Sequence, residues 1–420
     1  MNDLHLEKFY KANETDNSCR GANSPYAFAI DPDHPSDLAN KLGDTGQWAT
    51  LGRPGCDSPA SLVELMATRL DQLDKDVDIV IMAGDFVAHG IAAHYGEPTH
   101  GEVLREALEE SLDIVKSRLP NAILVPSVGN NDVLYHYQPP DCTNKTEFYG
   151  YLFDLWFNQV KQNEPFAEHA KQSMLEGGYF RMRVSKRLSV ISLNTLYLST
   201  RNDFRSQCGE AERMLIWLRN ELEEEKDATH GFIISFHIFP GLYYPGYDQQ
   251  FFYDPYVAIY KQIVKQNRHK IILQIGAHTH WADVRSYVSP YNPFSSAGLG
   301  IGAFLGVEDE EEHEDVHYEN LHVSPSVSPI FGNNPGVTTF DVHEDSLVAY
   351  NFTWHFFDLY KSFTDSEQET PLVEYREVNL EKEFGLMNFT IGETWNFLKR
   401  LQGDEELFRQ YLVKKLGFSL

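Results

Sequence analysis

Short apolar runs that end in a small residue and then in Asp, Asn or His recur along this chain. Ile271-Ile272-Leu273-Gln274-Ile275 leads into Gly276-Ala277-His278-Thr279-His280. Val77 to Met82 leads into Gly84-Asp85, with His89 four residues on; the run at 122–127 leads into Gly129-Asn130; and Ile233-Ile234-Ser235-Phe236 leads into His237. Runs this short read as buried strands, and helical stripes lie between them. Residues 58–74 carry Leu62, Val63, Leu65, Met66, Leu70 and Leu73 at helical spacing, with Asp57 or Ser58 to cap the helix and Pro59 in its first turn. Residues 101–118, 210–224 and 254–267 read the same way, and 188–193 reads as a further strand. Strands alternating with helices predict an α/β layered fold whose sheets are covered by helices.

Later strands near 320–328, 337–342 and 346–354 have no helices between them and are expected to complete a second, more antiparallel sheet. Residues 1–354 then form one catalytic-sized domain. Residues 355–420 form a mainly helical C-terminal subdomain, with the last forty residues, from Leu380, as a separate cap. The stretch from about 284 to 320 fits neither period. Its Gly298-Leu299-Gly300 has a dinucleotide-binding look, yet no strand precedes it and no helix follows, so it reads as a flexible surface loop. A membrane-touching or substrate-facing lid is the alternative.

Composition narrows the function classes. The chain has 420 residues, 42% of them apolar, enough for a substantial core. No apolar run reaches the ~18 residues of a membrane helix. Lys plus Arg number 35 against 62 Asp plus Glu, a net charge of −27, and seven of the acids lie between Glu308 and Asp315. A surface of that sign disfavours nucleic acid, whose phosphates need clustered Lys and Arg. Cys19, Cys56, Cys142 and Cys208 include no C-x-x-C, so neither a zinc ribbon nor a redox motif is expected. Sequons at Asn13, Asn144, Asn351 and Asn388 permit a secreted glycoprotein. The first residues of the sequence do not read as a signal peptide.

The strand-end residues share a chemistry. Ends of neighbouring strands in an α/β sheet converge on one crevice. With Asp3-Leu4-His5 added, the converging groups are Asp3, His5, Asp85, Asn130, His237, His278 and His280. Two carboxylates, an amide oxygen and four imidazoles are too many for one tetrahedral site and suit two cations that share a bridging carboxylate, for which Asp85 is the natural choice. Mixed imidazole and carboxylate ligation favours Zn²⁺, with Mn²⁺, Fe or Mg²⁺ as alternatives. Asp3 begins two residues after Met1, which leaves no room for a strand to carry it. The chain is therefore expected to be truncated or to start where an upstream segment was removed, and an absent first strand is expected to loosen Asp3 and His5.

In order and content these blocks resemble the calcineurin-like metallophosphoesterase superfamily, whose pattern runs D-x-H, G-D-x-x-x-H, G-N-H-[DE], an isolated H and G-H-x-H. Gly55-Cys56-Asp57-Ser58-Pro59, Gly177-Gly178-Tyr179-Phe180, Ile191-Ser192-Leu193-Asn194-Thr195, Ile216-Trp217-Leu218 and Asn334-Pro335-Gly336 further resemble the acid sphingomyelinase-like phosphodiesterases. So do Phe384-Gly385-Leu386 and Gly403 to Phe408, so the resemblance runs from Asp3 to about Tyr411. It implies a layered β-sandwich flanked by helices. It also implies two divalent ions, one held by Asp3, His5, Asp85 and His280, the other by Asp85, Asn130, His237 and His278. His89 matches the histidine that sits near the phosphate without binding metal. A Cys19–Cys56 disulfide is implied too, and with it a secreted, lysosomal or vacuolar location.

One block departs from the pattern. Gly129-Asn130-Asn131-Asp132 places Asn131 where the superfamily has the histidine that protonates the leaving group. Asn cannot act as an acid, and loss of acid catalysis costs about 10²–10⁴ in rate. A similar G-N-N-D block belongs to the endopolyphosphatase branch, whose anhydride leaving groups need less protonation, and His136 is a candidate substitute. The resemblance implies first a two-metal phosphodiesterase acting on phosphodiester or nucleotide substrates. The alternatives are an endopolyphosphatase and a metal- and phosphate-binding protein with degraded catalysis. The partners expected are phosphorylated small molecules, lipids or polyphosphate.

Overall fold

The computed structural model describes residues 1–13, 47–73, 77–91, 99–203, 208–242, 250–286 and 320–418. The first half alternates helix and strand in the expected order: α1 (Ala60–Leu73), β1 (Ile79–Met82), α2 (Thr99–Arg118) and β2 (Ile123–Pro126). Next come α3 (Lys145–Phe153) and α4 (Ala167–Gly177), then β3 (Phe180–Met182) and β4 (Leu188–Leu193). The series α5 (Glu210–Glu224), β5 (Gly231–Phe236), α6 (Asp254–Asn267), β6 (Ile271–Gly276) and β7 (Asp283–Arg285) leads to β8 (Leu321–Val323). The chain closes with β9 (Gly336–Val342), β10 (Ala349–Phe357), β11 (Tyr375–Asn379), α7 (Leu380–Phe384), α8 (Ile391–Gly403) and α9 (Glu405–Lys414).

Among the described residues the strands make three sheets. The largest runs β3-β4-β5-β6-β8-β7, with β4, β5, β6 and β8 parallel. Its central strands are buried throughout, as near-continuous Val, Ile, Leu and Phe runs require when both faces are covered. β1 and β2 pair in parallel. They join the large sheet through hydroxyls, where Ser127 Oγ lies 2.9 Å from Ser192 Oγ and 3.1 Å from Ser235 Oγ. β9, β10 and β11 form an antiparallel sheet. The large sheet therefore takes the short strand at 321–323, which was expected in the antiparallel one. Two other short strands also sit outside the expected pattern: residues 284–285 belong to β7, inside the expected loop, and β11 lies inside the stretch expected to be helical. Most of that loop, with the Gly-rich and acidic runs, lies outside the described residues.

The helices lay apolar stripes on these sheets. α1 buries Leu62, Val63, Met66, Ala67 and Leu70, and α5 buries Met214, Leu215, Leu218 and Leu222. α8 and α9 are capped by Thr390 and Asp404, whose side chains accept the Glu393 and Leu407 backbone N–H. They bring Phe397, Leu401 and Tyr411 into the same core as β10 and β6. Beyond α9, Lys415 is 5% exposed, and its carbonyl accepts the N–H of Ala282 at 3.3 Å, two residues after His280.

Residues 1–7 are bonded along both edges. The Met1 ammonium donates to Ile81 O at 2.9 Å, Asp3 N to Gly84 O at 2.9 Å, His5 N to Asp85 O at 3.0 Å and Leu6 N to Phe86 O at 2.8 Å. On the other side Ser58 N donates to His5 O at 3.0 Å and Ser328 N to Asp3 O at 2.9 Å. Asp3 and His5 are wholly buried. The expected loosening is not seen: carbonyls of 84–86 and amides of 58 and 328 bond residues 3–6 on both sides and hold Asp3 and His5 in the buried interior.

Candidate metal centre

Asp85, Asn130, His237, His278 and His280 follow strand ends while Asp3 and His5 lie on the N-terminal segment beside them, and backbone strain marks the place. Among the described non-glycine residues, positive φ occurs at Asp3, His5, Asp85, His278 and His280, all candidate ligands, as well as at Tyr137 and a few others. Such conformations cost of order 1–3 kcal/mol each and persist where surrounding structure over-determines them. Two glycines make the turns possible. A Cβ on Gly129 would overlap the backbone N and Oδ1 of Asp85, and one on Gly84 would lie 2.7 Å from Gly129 N.

That close approach lets Asp132 tie the two loops together. Its carboxylate accepts the N–H groups of Asp85 and Gly129 at 2.8 Å each and that of Phe86 at 2.7 Å. Burial, and then the charge of Asp85, push its pKa up to about 7.

The seven expected ligands form one cluster. His5 Nε2 lies 3.4 Å from Asp85 Oδ2, 3.8 Å from Asp3 Oδ1 and 3.2 Å from His280 Nε2. On the other side of Asp85, His237 Nε2 lies 3.2 Å from Asp85 Oδ2, 3.0 Å from Asn130 Oδ1 and 3.2 Å from His278 Nδ1. One ligand atom each from Asp3, His5 and Asp85, and one each from Asp85, His237 and His278, lie within 4.8 Å of one another. Asp85 is common to both groups.

Ring nitrogens facing away from the cluster set the tautomers. His5 Nδ1 donates to Val87 O at 3.0 Å and His237 Nδ1 to Ala83 O at 2.8 Å, so once the ring gives up its second proton each Nε2 presents a lone pair inward. Asn130 is oriented by His136, whose Nε2 accepts from Asn130 Nδ2 at 2.9 Å and leaves Oδ1 facing His237. Asp3 Oδ1 is buried without a hydrogen-bond partner, 3.6 Å from His280 Nε2. A buried, unsatisfied anionic oxygen among inward lone pairs is a donor set that fits divalent cations.

The charges follow. Burial lowers His5 and His237, but the charge and hydrogen bonds of Asp85 and Asp3, with Asp57 beside His5 and the Ala83 carbonyl on His237, together outweigh it, and both end up raised to about 9. His278 and His280 are held well below the usual histidine value, by burial first and then by His237 and His5 respectively. Burial would raise Asp85, yet the charges of His237 and His5 hold it well below the carboxylate range.

Over residues 2–282 the sequence matches the calcineurin-like phosphoesterase family. The chain belongs to that family. Among curated proteins, this phosphoesterase is 24% identical to sphingomyelinase phosphodiesterase D of Dictyostelium discoideum over 86% of the chain and 74% of the relative. It is 27% identical to an endopolyphosphatase of Candida glabrata over 57% of the chain and 35% of the relative. It is 22% identical to sphingomyelin phosphodiesterase 1 of Caenorhabditis elegans over 87% of the chain and 57% of the relative. The chain thus spans less than two thirds of the latter two proteins. A solved dimetal phosphatase from Danio rerio superposes with a TM-score of 0.39 at 10% identity, over 76% of this chain and 88% of that one. The phosphoesterase is a metal-dependent phosphohydrolase, and its family uses two divalent metal ions.

The remaining expectations resolve as follows. Asp57 does not cap α1. Its carboxylate accepts the backbone N–H of His89 at 2.7 Å, His89 Nδ1–H at 3.0 Å and Ser328 Oγ–H at 3.1 Å. His89 stacks on His5 with ring centroids 4.0 Å apart. Asn131 is 7% exposed and turned onto Asp85, with its backbone N–H on Oδ1 at 2.8 Å and its side-chain amide on Oδ2 at 2.7 Å. Cys142 and Cys208, left unassigned by the sequence, form a disulfide. Cys56 is disulfide-bonded, and its expected partner Cys19 lies outside the described residues. No helix among the described residues is long and apolar enough to cross a membrane.

Proposed function

We propose that this phosphoesterase hydrolyses phosphoanhydride bonds, as in linear polyphosphate. The observation that carries the reading is Asn131. At the position of the superfamily's leaving-group acid stands an asparagine whose backbone N–H and side-chain amide each donate to Asp85. A phosphoanhydride leaving group departs as a stabilised phosphate and tolerates the lack of an acid, whereas an alkoxide does not.

Asp3, His5, Asp85 and His280 would hold one cation, and Asp85, Asn130, His237 and His278 the other. Zn²⁺ suits the imidazole-rich set, with Mn²⁺, Fe or Mg²⁺ as alternatives. Bound there, the pair would supply positive charge to a phosphoryl group and acidify water beside it. The chain's own part is orientation. Asp85 spans the two groups, Asn131 holds both its oxygens in place through its backbone N–H and its side-chain amide, and Asp57 fixes the ring of His89. His89, so fixed, donates to a phosphoryl oxygen as charge develops there. The Cys142–Cys208 disulfide supports an oxidising location, secreted or in a lysosomal or vacuolar lumen, where the sequons would carry glycans.

A second reading, a phosphodiesterase of the sphingomyelinase kind, is favoured by the length of the match: 86% of the chain against 57% for the endopolyphosphatase. The deciding experiment is a substrate panel on metal-loaded protein comparing long-chain polyphosphate, nucleoside triphosphate, bis-(p-nitrophenyl) phosphate and sphingomyelin. Preferential turnover of the first two supports the anhydride reading. Preferential turnover of sphingomyelin, whose alkoxide leaving group needs an acid, overturns it, while bis-(p-nitrophenyl) phosphate, whose nitrophenolate needs none, reports only that the centre is active. Cation and phosphate binding without turnover of any substrate would indicate degraded catalysis.

A further inference from the structure

The loop that follows Gly129-Asn130-Asn131-Asp132 folds back over the metal centre and is tied down at several points. Tyr137 N donates to Asn130 O at 3.1 Å, Gln138 N to Tyr135 O at 2.7 Å, and Gln138 Nε2 to Arg201 O at 3.0 Å. Asp203 N returns a bond to Gln138 Oε1 at 3.0 Å, and the Cys142–Cys208 disulfide joins the same two segments covalently. So anchored, Tyr137 adopts φ +65°, a left-handed conformation that aromatic residues rarely take and that Tyr137 shares with the candidate ligands. Its hydroxyl lies 3.2 Å from His278 Nε2, and its ring meets the imidazole edge-on at 88°, with centroids 5.8 Å apart. Phe251 closes a further side of the imidazole, 5.1 Å away and at 75°.

His278 differs from His5 and His237 in which nitrogen it presents. Theirs is Nε2, with Nδ1 on a backbone carbonyl; His278 turns Nδ1 toward His237 Nε2 and leaves Nε2 outside. A neutral imidazole carries one proton, so Nδ1 has a lone pair for a cation only if Nε2 holds that proton. The outer atom needs an acceptor, and the Tyr137 hydroxyl oxygen is within reach. We propose that Tyr137 is a positioning residue for the metal centre: it accepts the Nε2–H of His278, so that Nδ1 faces the second cation. The proposal rests on the reading of His278 as a ligand. It gives the disulfide-anchored loop a task, since the loop holds a strained tyrosine against a ligand 141 residues away in sequence.

The test is cobalt titration of the metal-free full-length protein, followed by visible absorption and calorimetry, in the wild type, Y137F and H278A. Phe keeps the ring and the same backbone preferences and removes only the oxygen. Wild type should take up two Co²⁺, and H278A should lose one of them. Y137F should bind the first as wild type does and the second about 10–100-fold more weakly, with an altered absorption band, as loss of such an outer hydrogen bond typically causes. If H278A still binds two ions with unchanged affinity, the ligand reading fails. If H278A loses one while Y137F binds both like wild type, or weakens both equally, the role of Tyr137 fails and the ligand reading stands.

Discussion

His89 gives its Nδ1–H to Asp57 Oδ1 at 3.0 Å while its ring lies stacked against His5, so a carboxylate 32 residues upstream fixes the one histidine of the site that matches no metal-binding position of the family pattern. Burial would raise the Asp57 pKa, but the His89 charge and hydrogen bonds lower it below the ordinary carboxylate value. Asp57→Asn should therefore reduce kcat on the preferred substrate about 10–100-fold and leave two cations bound. Kinetics paired with metal analysis of the purified variant checks this; loss of a cation would mean that Asp57 supports His5 rather than His89.

The metal-free protein should lose stability between about pH 6.5 and 9. His5 and His237 are raised to about 9 in the fold, so the folded state holds protons that the unfolded chain releases above 6.5. Their contribution is full below that unfolded value and is gone once pH passes the folded one. His278 and His280, held low, act oppositely and erode stability as pH falls below 6.5. Melting temperatures of chelator-treated protein across this range should trace both arms. Cation binding at pH 7.5 should release protons from His5 and His237, seen as a buffer-dependent heat in calorimetry.

Asn131→His returns a proton donor to the place where Asn131 now holds Asp85. Hydrolysis of bis-(p-nitrophenyl) phosphate should change little, because nitrophenolate leaves unaided, whereas an alkyl phosphodiester should be cleaved up to ~10²-fold faster. Polyphosphate turnover should stay the same or fall. An unchanged alkyl-diester rate would separate the identity of residue 131 from substrate choice.

Gly129→Ala should disable the centre without replacing a ligand. The new Cβ would overlap Asp85, so the loop must shift away from Asp132, at a cost of roughly 1–3 kcal/mol. The expected outcome is a melting temperature a few degrees lower and loss of both cations by metal analysis. Full metal content would show that the two loops have slack the packing does not suggest.

The residues that converge were legible because their signal is local: an apolar run, a small residue, then a ligand, within about eight positions. Ile271 to His280 contains all of it, and the strand, its burial and its turn follow from that stretch alone. The contacts that orient these groups were not legible. Asn131–Asp85, His89–Asp57 and Tyr137–His278 join residues 46, 32 and 141 positions apart, and no pattern in either partner names the other. Asp57 read as a cap because Asp before Pro and an apolar stripe is a sound helix start; a histidine at 2.7 Å from it in space outcompeted the helix N-terminus. α3 and α4 escaped for different reasons. Tyr149, Leu152 and Phe153 of α3 and Leu155, Trp156 and Phe157 in the turn after it make one crowded apolar run with no clear period, whereas α4 buries only Ala170, Ser173, Met174 and Gly177, too few large apolar side chains to draw a stripe.

The bonding of residues 1–7 on both edges has a consequence for the order of events during synthesis. Asn2 O accepts from Val327 N, and Asp3 O from Ser328 N, so one wall of the centre is built from segments more than 320 residues apart. Closing a loop of that length comes late in folding, after local helices and hairpins have formed. A growing chain carries Asp3 and His5 long before residues 326–328 are made, and the site is incomplete until those residues have left the ribosome and the two segments have met. Cation uptake therefore reports on a finished fold, and a chain stalled partway has no competent site with which to hydrolyse anything.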